Sequence, residues 1–275
     1  MHKITRITLT EFQFTVSDIG LEQAAAGVGN MAYKKGSSFP AKRFAVKIDT
    51  DEGASGEYVT HWVGTPASFA QAQMLAPVML SRNPEHREQI YDDLKRELRA
   101  YDHMGHGALD IAVWDLCAKM KSTSVKSMLG GYRDTLPTYA STYHGQETPG
   151  GLCSPEAFAD FADECKSRGF HGFKIHGWND GNVEREITNL LGVRKRVGDS
   201  WRLMIDPACQ LRTWMDALTV GRACDDAGYF WYEDPYRDAA VSSHGHSKLR
   251  EQLKTPLLIS EHVRGLEQKA SFTLN

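Results

Sequence analysis

The chain has 275 residues, of which 41% are hydrophobic and 24% charged, and a formal net charge of −3 at pH 7. That balance fits one or two globular domains and excludes a disordered or collagen-like chain. A mildly acidic chain also lacks the basic field that a general nucleic-acid binder needs.

No run of 18 apolar residues offers a membrane span, and the alternating N-terminus MHKITRITLTEF does not read as a signal peptide. The five cysteines are scattered with no CxxC pair. This argues against a disulfide framework or a structural zinc site and for a cytoplasmic setting. In residues 1–135, ITRITLTEFQFTV and RFAVKIDTDEG alternate as strands do, and a further strand is expected around Glu57–His61. Between them, residues 21–40 are rich in Gly, Ala and Ser without a period, which predicts a long loop of the lid type. From Ser68 to about Leu129 the spacing turns helical. Leu109, Ala112, Val113, Leu116 and Met120 share one face, and LGGY at 129–132 supplies the stop.

Residues 136–275 have a different rhythm. Short apolar strands (LPTYAST, FHGFKIHGW, WRLMIDPAC, YFWYEDPY, TPLLISEHVRG) alternate with amphipathic helices, as in a parallel sheet covered by helices. Polar residues stand at the ends of four successive strands: Lys174, Asp206, Glu233 and Glu261, separated by 32, 27 and 28 residues. No GxGxxG follows the first strand, so a doubly wound nucleotide fold is disfavoured. A barrel, whose strand ends converge on one pit, fits the regular series better.

Three carboxylates converging on one pit would repel strongly without a cation, and hard oxygen donors suit Mg²⁺. The alternative, three acids that merely cap loops, does not account for their recurrence in consecutive repeats. Lys174 and His176 are two apart on a strand and point the same way. The lysine suits an anionic substrate oxygen, and the histidine suits a base near neutral pH.

The fragments LDIAVWDLCAKMKSTSVKSMLGG, GFKIHGW, LMIDPAC, YFWYEDP and LISEHVRG resemble the mandelate racemase/muconate lactonizing enzyme-like branch of the enolase superfamily. The resemblance implies an α/β fold: an α+β capping domain over 1–135, then a modified TIM-type (β/α) barrel over 136–275. About five barrel strands are present, so the barrel is incomplete in this chain and the family's later His–Asp dyad falls outside it. Either the protein is longer than this chain or the chain is a truncated product. By the same resemblance, Asp206, Glu233 and Glu261 fall on the family's Mg²⁺ ligands, and Lys174 and His176 on its Lys-x-Lys motif. His176 replaces the motif's second lysine, and Ala208 stands where the family often has Asn.

The implied chemistry is Mg²⁺-dependent removal of the α-proton of a carboxylate substrate through an enediolate. Dehydration of a sugar acid to a 2-keto-3-deoxy acid is the favoured outcome. The alternatives are a racemase, epimerase or cycloisomerase of a hydroxy acid, or a non-catalytic metal-binding paralogue or fragment. Tyr33 and Lys34 in the lid and His61 and Trp62 in the second capping loop are the expected substrate-binding residues. The expected partners are a small-molecule acid and further copies of the chain in a homo-oligomer, with no nucleic acid and no membrane.

Overall fold

The computed structural model describes residues 2–23, 29–61, 65–147, 149–237 and 242–274. It divides into two compact units, Met1–Thr15 with Pro40–Asp134, and Val16–Phe39 with Thr135–Asn275.

Three strands, Ile4–Gln23, Gly29–Thr50 and Ser55–Val59, pair in the order β1-β2-β3; the first unit holds the start of β1, the end of β2 and all of β3, while residues 16–39 of the ribbon belong to the second. β2 and β3 are antiparallel, with Ala45 opposite Val59 and Asp49 opposite Ser55. The Thr-Asp-Glu-Gly turn joins them, and Gly53 takes the left-handed φ of 83° that closes it. Phe44, Val46 and Ile48 alternate inward onto helices α1 (Thr65–Met79), α2 (Arg87–Glu97) and α3 (His106–Met120). On α3, Leu109, Ala112, Val113 and Leu116 are buried as their spacing predicts, with Met120 at the margin of the same core. The helix lies so close to β3 that a Cβ on Gly56 would come within 2.2 Å of the Ala112 carbonyl oxygen. α3 ends at Met120. The LGGY stop instead terminates a separate turn, α4 (Val125–Met128), whose N-cap Ser124 accepts the Ser127 N–H.

One expectation is corrected here. Residues 21–40 are not a long loop: β1 continues to Gln23 and β2 begins at Gly29, while residues 24–28 lie outside the described set. Most of residues 33–40 are exposed or half-buried. A ribbon held by backbone pairing, with little to bury, carries almost no hydrophobic period to read.

In the second unit, among the described residues, five parallel strands pair in sequence order. They are β4 (Ala140–Ser141), β5 (Gly172–Ile175), β6 (Arg202–Ile205), β7 (Trp231–Glu233) and β8 (Leu257–Leu258). Helices α5 (Pro155–Ser167), α6 (Val183–Val197), α7 (Trp214–Asp226), α8 (Ser243–Arg250) and α9 (Leu266–Leu274) separate or follow them. This is the strand–helix series of an incomplete (β/α) barrel. Helix starts follow local chemistry. Ser154 caps α5 with Pro155 at its first position, Asn182 caps α6, and Thr213 and Asp216 form a capping box on α7. The core between sheet and helices contains Phe158, Phe173, Leu190, Val193, Leu203, Ile205 and Tyr232.

Two buried polar groups fix connections in this unit. The Arg194 guanidinium donates to the carbonyls of Gly198, Trp201, Ala227 and Gly228, holding the turns that precede β6 and β7. Glu186, 1% exposed on α6, accepts the Trp178 N–H at 2.7 Å and fills the space beside Gly177. A Cβ there would come within 2.2 Å of the Glu186 carboxylate, and Gly177 also sits at φ 56°.

Burial pushes the Glu186 carboxyl up to about 8 from its ordinary 4.5. The folded state therefore retains a proton that the unfolded chain has released. Stability should be greatest below about pH 4.5 as far as this group is concerned, and should fall as pH rises towards 8. Glu186→Gln keeps the oxygen that Trp178 uses and removes the ionisation. Urea unfolding across this range should show a flatter pH dependence in the variant, with a gain on the order of a few kcal/mol at pH 8. Parallel pH profiles for the two proteins would contradict the assignment.

Candidate active site at the strand ends

The C-terminal ends of β5, β6 and β7, with the segment after β8, bring five of the sequence-predicted residues together. Lys174 lies within β5 and His176 just beyond it. Asp206 follows β6, Glu233 ends β7, and Glu261 lies three residues past β8. Lys174 Nζ stands between two carboxylates, 3.1 Å from Asp206 Oδ2 and 3.0 Å from Glu233 Oε2. His176 Nε2 approaches the same Asp206 Oδ2 at 3.0 Å. Its Nδ1 lies 3.5 Å from Ser141 Oγ, and its backbone N–H donates to Thr142 Oγ1. The Trp231 indole N–H donates to Glu233 Oε2 at 3.0 Å, and the Ala208 N–H donates to Asp206 Oδ1 at 2.8 Å.

Burial alone would raise the carboxyl of Asp206, which is 2% exposed. His176, Lys174 and the Ala208 N–H outweigh that and hold it well below the ordinary carboxylate range. Burial likewise disfavours the Lys174 ammonium, but Asp206 and Glu233 hold it above its ordinary value. Next to His176, with ring centroids 5.4 Å apart, is His144. Burial, and then the facing His176 ring, push it down to about 3, so it is neutral at physiological pH.

One carboxylate oxygen from each of Asp206, Glu233 and Glu261 lies within 4.8 Å of the others. These are hard oxygen donors on the ends of neighbouring strands, and one ammonium offsets only part of their charge. Glu261 is exposed, so the cluster is open to a cation on that side. The set fits a divalent ion of the Mg²⁺ type.

The expected substrate-binding residues are not gathered in the same way. Tyr33 packs on Tyr143, with centroids 5.6 Å apart, and lines a cavity of about 650 Å³ with Asp18, Lys35, Leu152 and Phe161. The residues of the acidic cluster do not line that cavity. Lys34 lays its stem along Gly20 on the neighbouring strand. His61 is exposed and belongs to the first unit, and Trp62 lies outside the described residues. The sequence reading missed His144, Ser141 and Thr142, because single polar residues after a two-residue strand carry no periodic signal. It also passed over Asp234, 1% exposed and raised to about 8 by burial and by the carboxylates of Asp206, Glu261 and Glu233. Ala208 stands in the left-handed region at φ 49°, a conformation that Gly and Asn adopt most readily.

Removing the ammonium should expose the repulsion that it offsets. Lys174→Met leaves Asp206 and Glu233 buried without their shared cation. With chelator present, urea unfolding should show a loss of roughly 3–5 kcal/mol. Excess Mg²⁺ should recover part of it. Unchanged stability with chelator would show that the lysine does not balance this charge.

Comparisons with known proteins give the family and the fold. The family described as mandelate racemase / muconate lactonizing enzyme, N-terminal domain, matches residues 23–130, and the enolase C-terminal domain-like family matches residues 157–273. The chain is 24% identical over 243 residues to an N-succinyl-L-Arg/Lys racemase of Bacillus cereus, covering 85% of this chain and 62% of the relative. It is 26% identical over 233 residues to an L-talarate/galactarate dehydratase of Salmonella typhimurium, covering 82% and 56%. The crystal structure of a D-glucarate dehydratase from Agrobacterium tumefaciens, complexed with magnesium, superposes with a TM-score of 0.79 at 25% identity, covering 93% of this chain and 66% of that one. The chain thus spans about 56–62% of the length of these two curated relatives. With both family domains matched in order and the parallel strands in place, the chain belongs to the mandelate racemase/muconate lactonizing enzyme-like branch of the enolase superfamily.

Proposed function

We propose that the strand-end cluster removes the α-proton of a small carboxylic acid, with His176 as the base. The observation that carries this reading is the single Asp206 oxygen shared by Lys174 Nζ and His176 Nε2. A carboxylate oxygen only accepts, so the neutral imidazole that faces it carries its hydrogen on Nε2. That leaves Nδ1, 3.5 Å from Ser141 Oγ, with the lone pair. Nδ1 is then the atom that takes the substrate proton, and Asp206 steadies the imidazolium that results. The Thr142 hydroxyl holds the His176 backbone N–H, and the Ser141 hydroxyl at the end of β4 stands against the ring at Nδ1.

Asp206, Glu233 and Glu261 would hold Mg²⁺, whose positive charge, when bound, favours the substrate carboxylate and the negative charge that develops on it. Lys174 adds a fixed positive charge on the same side. His144, held neutral and buried against His176, withholds a second positive charge from the base and closes that side of the ring to water.

For the product, we favour loss of a β-hydroxyl from a polyhydroxy acid, giving a 2-keto-3-deoxy acid. The talarate/galactarate and glucarate dehydratases among the similar proteins support that preference. The second reading is racemisation or epimerisation, which shares the first step and is supported by the similarity to the N-succinyl-L-Arg/Lys racemase. Tyr33, Lys34, His61 and Trp62 remain proposed substrate contacts, and cytoplasmic residence and homo-oligomer formation remain proposals. Among the described residues no helix is long and apolar enough to cross a membrane.

Two experiments address this reading. His176→Asn should abolish exchange of the substrate α-hydrogen with deuterated water, followed by NMR over a panel of acid sugars, while Mg²⁺ still binds by calorimetry. Exchange at the parental rate would exclude His176 as the base. Glu233→Gln should weaken Mg²⁺ binding by tenfold or more while leaving the circular dichroism unchanged, since one of three ligands is lost at a strand end. Undiminished Mg²⁺ affinity would exclude this carboxylate from the metal site.

A further inference from the structure

A second group of possible ligands stands directly behind the first. Cys209, Asp234 and His262 each offer one donor atom, and these atoms lie within 4.8 Å of one another. Asp234 and His262 are the residues immediately after Glu233 and Glu261, and Cys209 comes three after Asp206. With Asp234 at a positive φ of 32° and residues 261–262 in a turn, the chain changes direction at each of these points, and consecutive side chains enter different clusters. The backbone ties the group together: the Cys209 N–H donates to the Asp234 carbonyl at 2.9 Å, and the Asp234 N–H donates to the Leu258 carbonyl at 3.0 Å.

Asp234 itself points to a ligand. It is 1% exposed, and among the described residues neither of its carboxylate oxygens has a hydrogen-bond partner. His262 Nε2 lies 3.7 Å from Oδ2. A buried carboxylate left this way costs several kcal/mol unless something neutralises it. The surroundings make the cost greater, because Asp206, Glu233 and Glu261 add three more carboxylates against the single Lys174 ammonium. With one divalent ion on those three, an ionised Asp234 would still leave one negative charge in excess, which a proton on Asp234 or a second cation would remove.

The donors differ in kind from those of the first cluster. A thiol, an imidazole and one carboxylate are poor ligands for Mg²⁺, which prefers oxygen alone, but they suit a borderline-soft ion such as zinc with a fourth position left for water. We propose that Cys209 Sγ, the Asp234 carboxylate and His262 Nε2 form a second cation site, for a thiophilic divalent metal of the zinc class, beside the all-carboxylate site. A metal there would pin the ends of β6, β7 and β8 to one another. This proposal is independent of the α-proton reading, because it uses none of the same side chains.

Cobalt(II) is the probe, as a coloured stand-in for zinc. Titrated into the 275-residue chain in excess Mg²⁺, it should bind with one equivalent and give the near-ultraviolet charge-transfer band of a cobalt–thiolate bond. Zinc should displace it. Cys209→Ser should abolish the band. His262→Gln, at an exposed position that leaves folding undisturbed, should weaken cobalt binding by at least about tenfold. Glu261→Gln should leave the band intact even though it weakens Mg²⁺ binding, which separates this site from the catalytic proposal. The absence of a thiolate band, a band that survives Cys209→Ser, or a band lost in Glu261→Gln would each overturn the assignment.

Discussion

The constraint on which the second unit depends is electrostatic. Parallel strands that end side by side bring the residues at their tips into one small volume, and in this sheet those residues are carboxylates on one strand after another. Asp206 and Glu233 are almost fully buried, so water does little to screen them. Each finds donors at the site: Lys174 for both, His176 and the Ala208 N–H for Asp206, and the Trp231 indole for Glu233. The sheet in turn is shaped by this need. Its strands are short, so the polar ends begin soon after the apolar interior stops, and the charged groups cannot retreat into solvent along the chain.

The same constraint explains where the backbone is unusual. Ala208, Cys209, Asp234 and Ser260 all have positive φ, and all lie within a few residues of the proposed ligands Asp206, Glu233 and Glu261. None is a glycine, so each such conformation carries a steric cost of about 1–2 kcal/mol. Surrounding contacts have to offset that cost, and backbone hydrogen bonds at Cys209, Asp234 and Val263 are among them. Conformations of this sort gather where chain direction must change sharply just after a strand while a side chain is held at a fixed point.

Much of this arrangement was legible in the sequence, for physical reasons that differ from element to element. Lys174, Asp206, Glu233 and Glu261 stood out because a polar residue ending an apolar run, repeated about every 30 residues, has little reason to recur in a parallel fold unless the strand ends share one site. The face of α3 was legible because its burial is continuous. The ribbon at 29–40 was not, since pairing without burial leaves no hydrophobic period. Neither was the Cys209–Asp234–His262 group: its members are far apart in sequence, share no ligand spacing, and meet only because three strand ends are adjacent. Scattered cysteines argued against a zinc site by spacing alone, and spacing is blind to contacts that the sheet creates. Tyr33 was assigned to substrate by the segment it occupies, and the cavity it lines against α5 is likewise a contact that no sequence period announces.

Arg194 has a consequence that reaches the other end of the sheet. Its guanidinium gathers four carbonyl oxygens from the turns that lead into β6 and β7. Those two strands are only a few residues long, so they behave as rigid spacers with Asp206 and Glu233 at their far tips. A fraction of an ångström lost at the turns is carried to the carboxylates almost undiminished. A lysine in place of Arg194 would keep the charge but could not span four acceptors in the guanidinium plane. Damage there would then look like a fault in the chemistry although no reacting atom had been touched. In a screen of random variants, positions beneath the sheet could therefore be mistaken for catalytic residues.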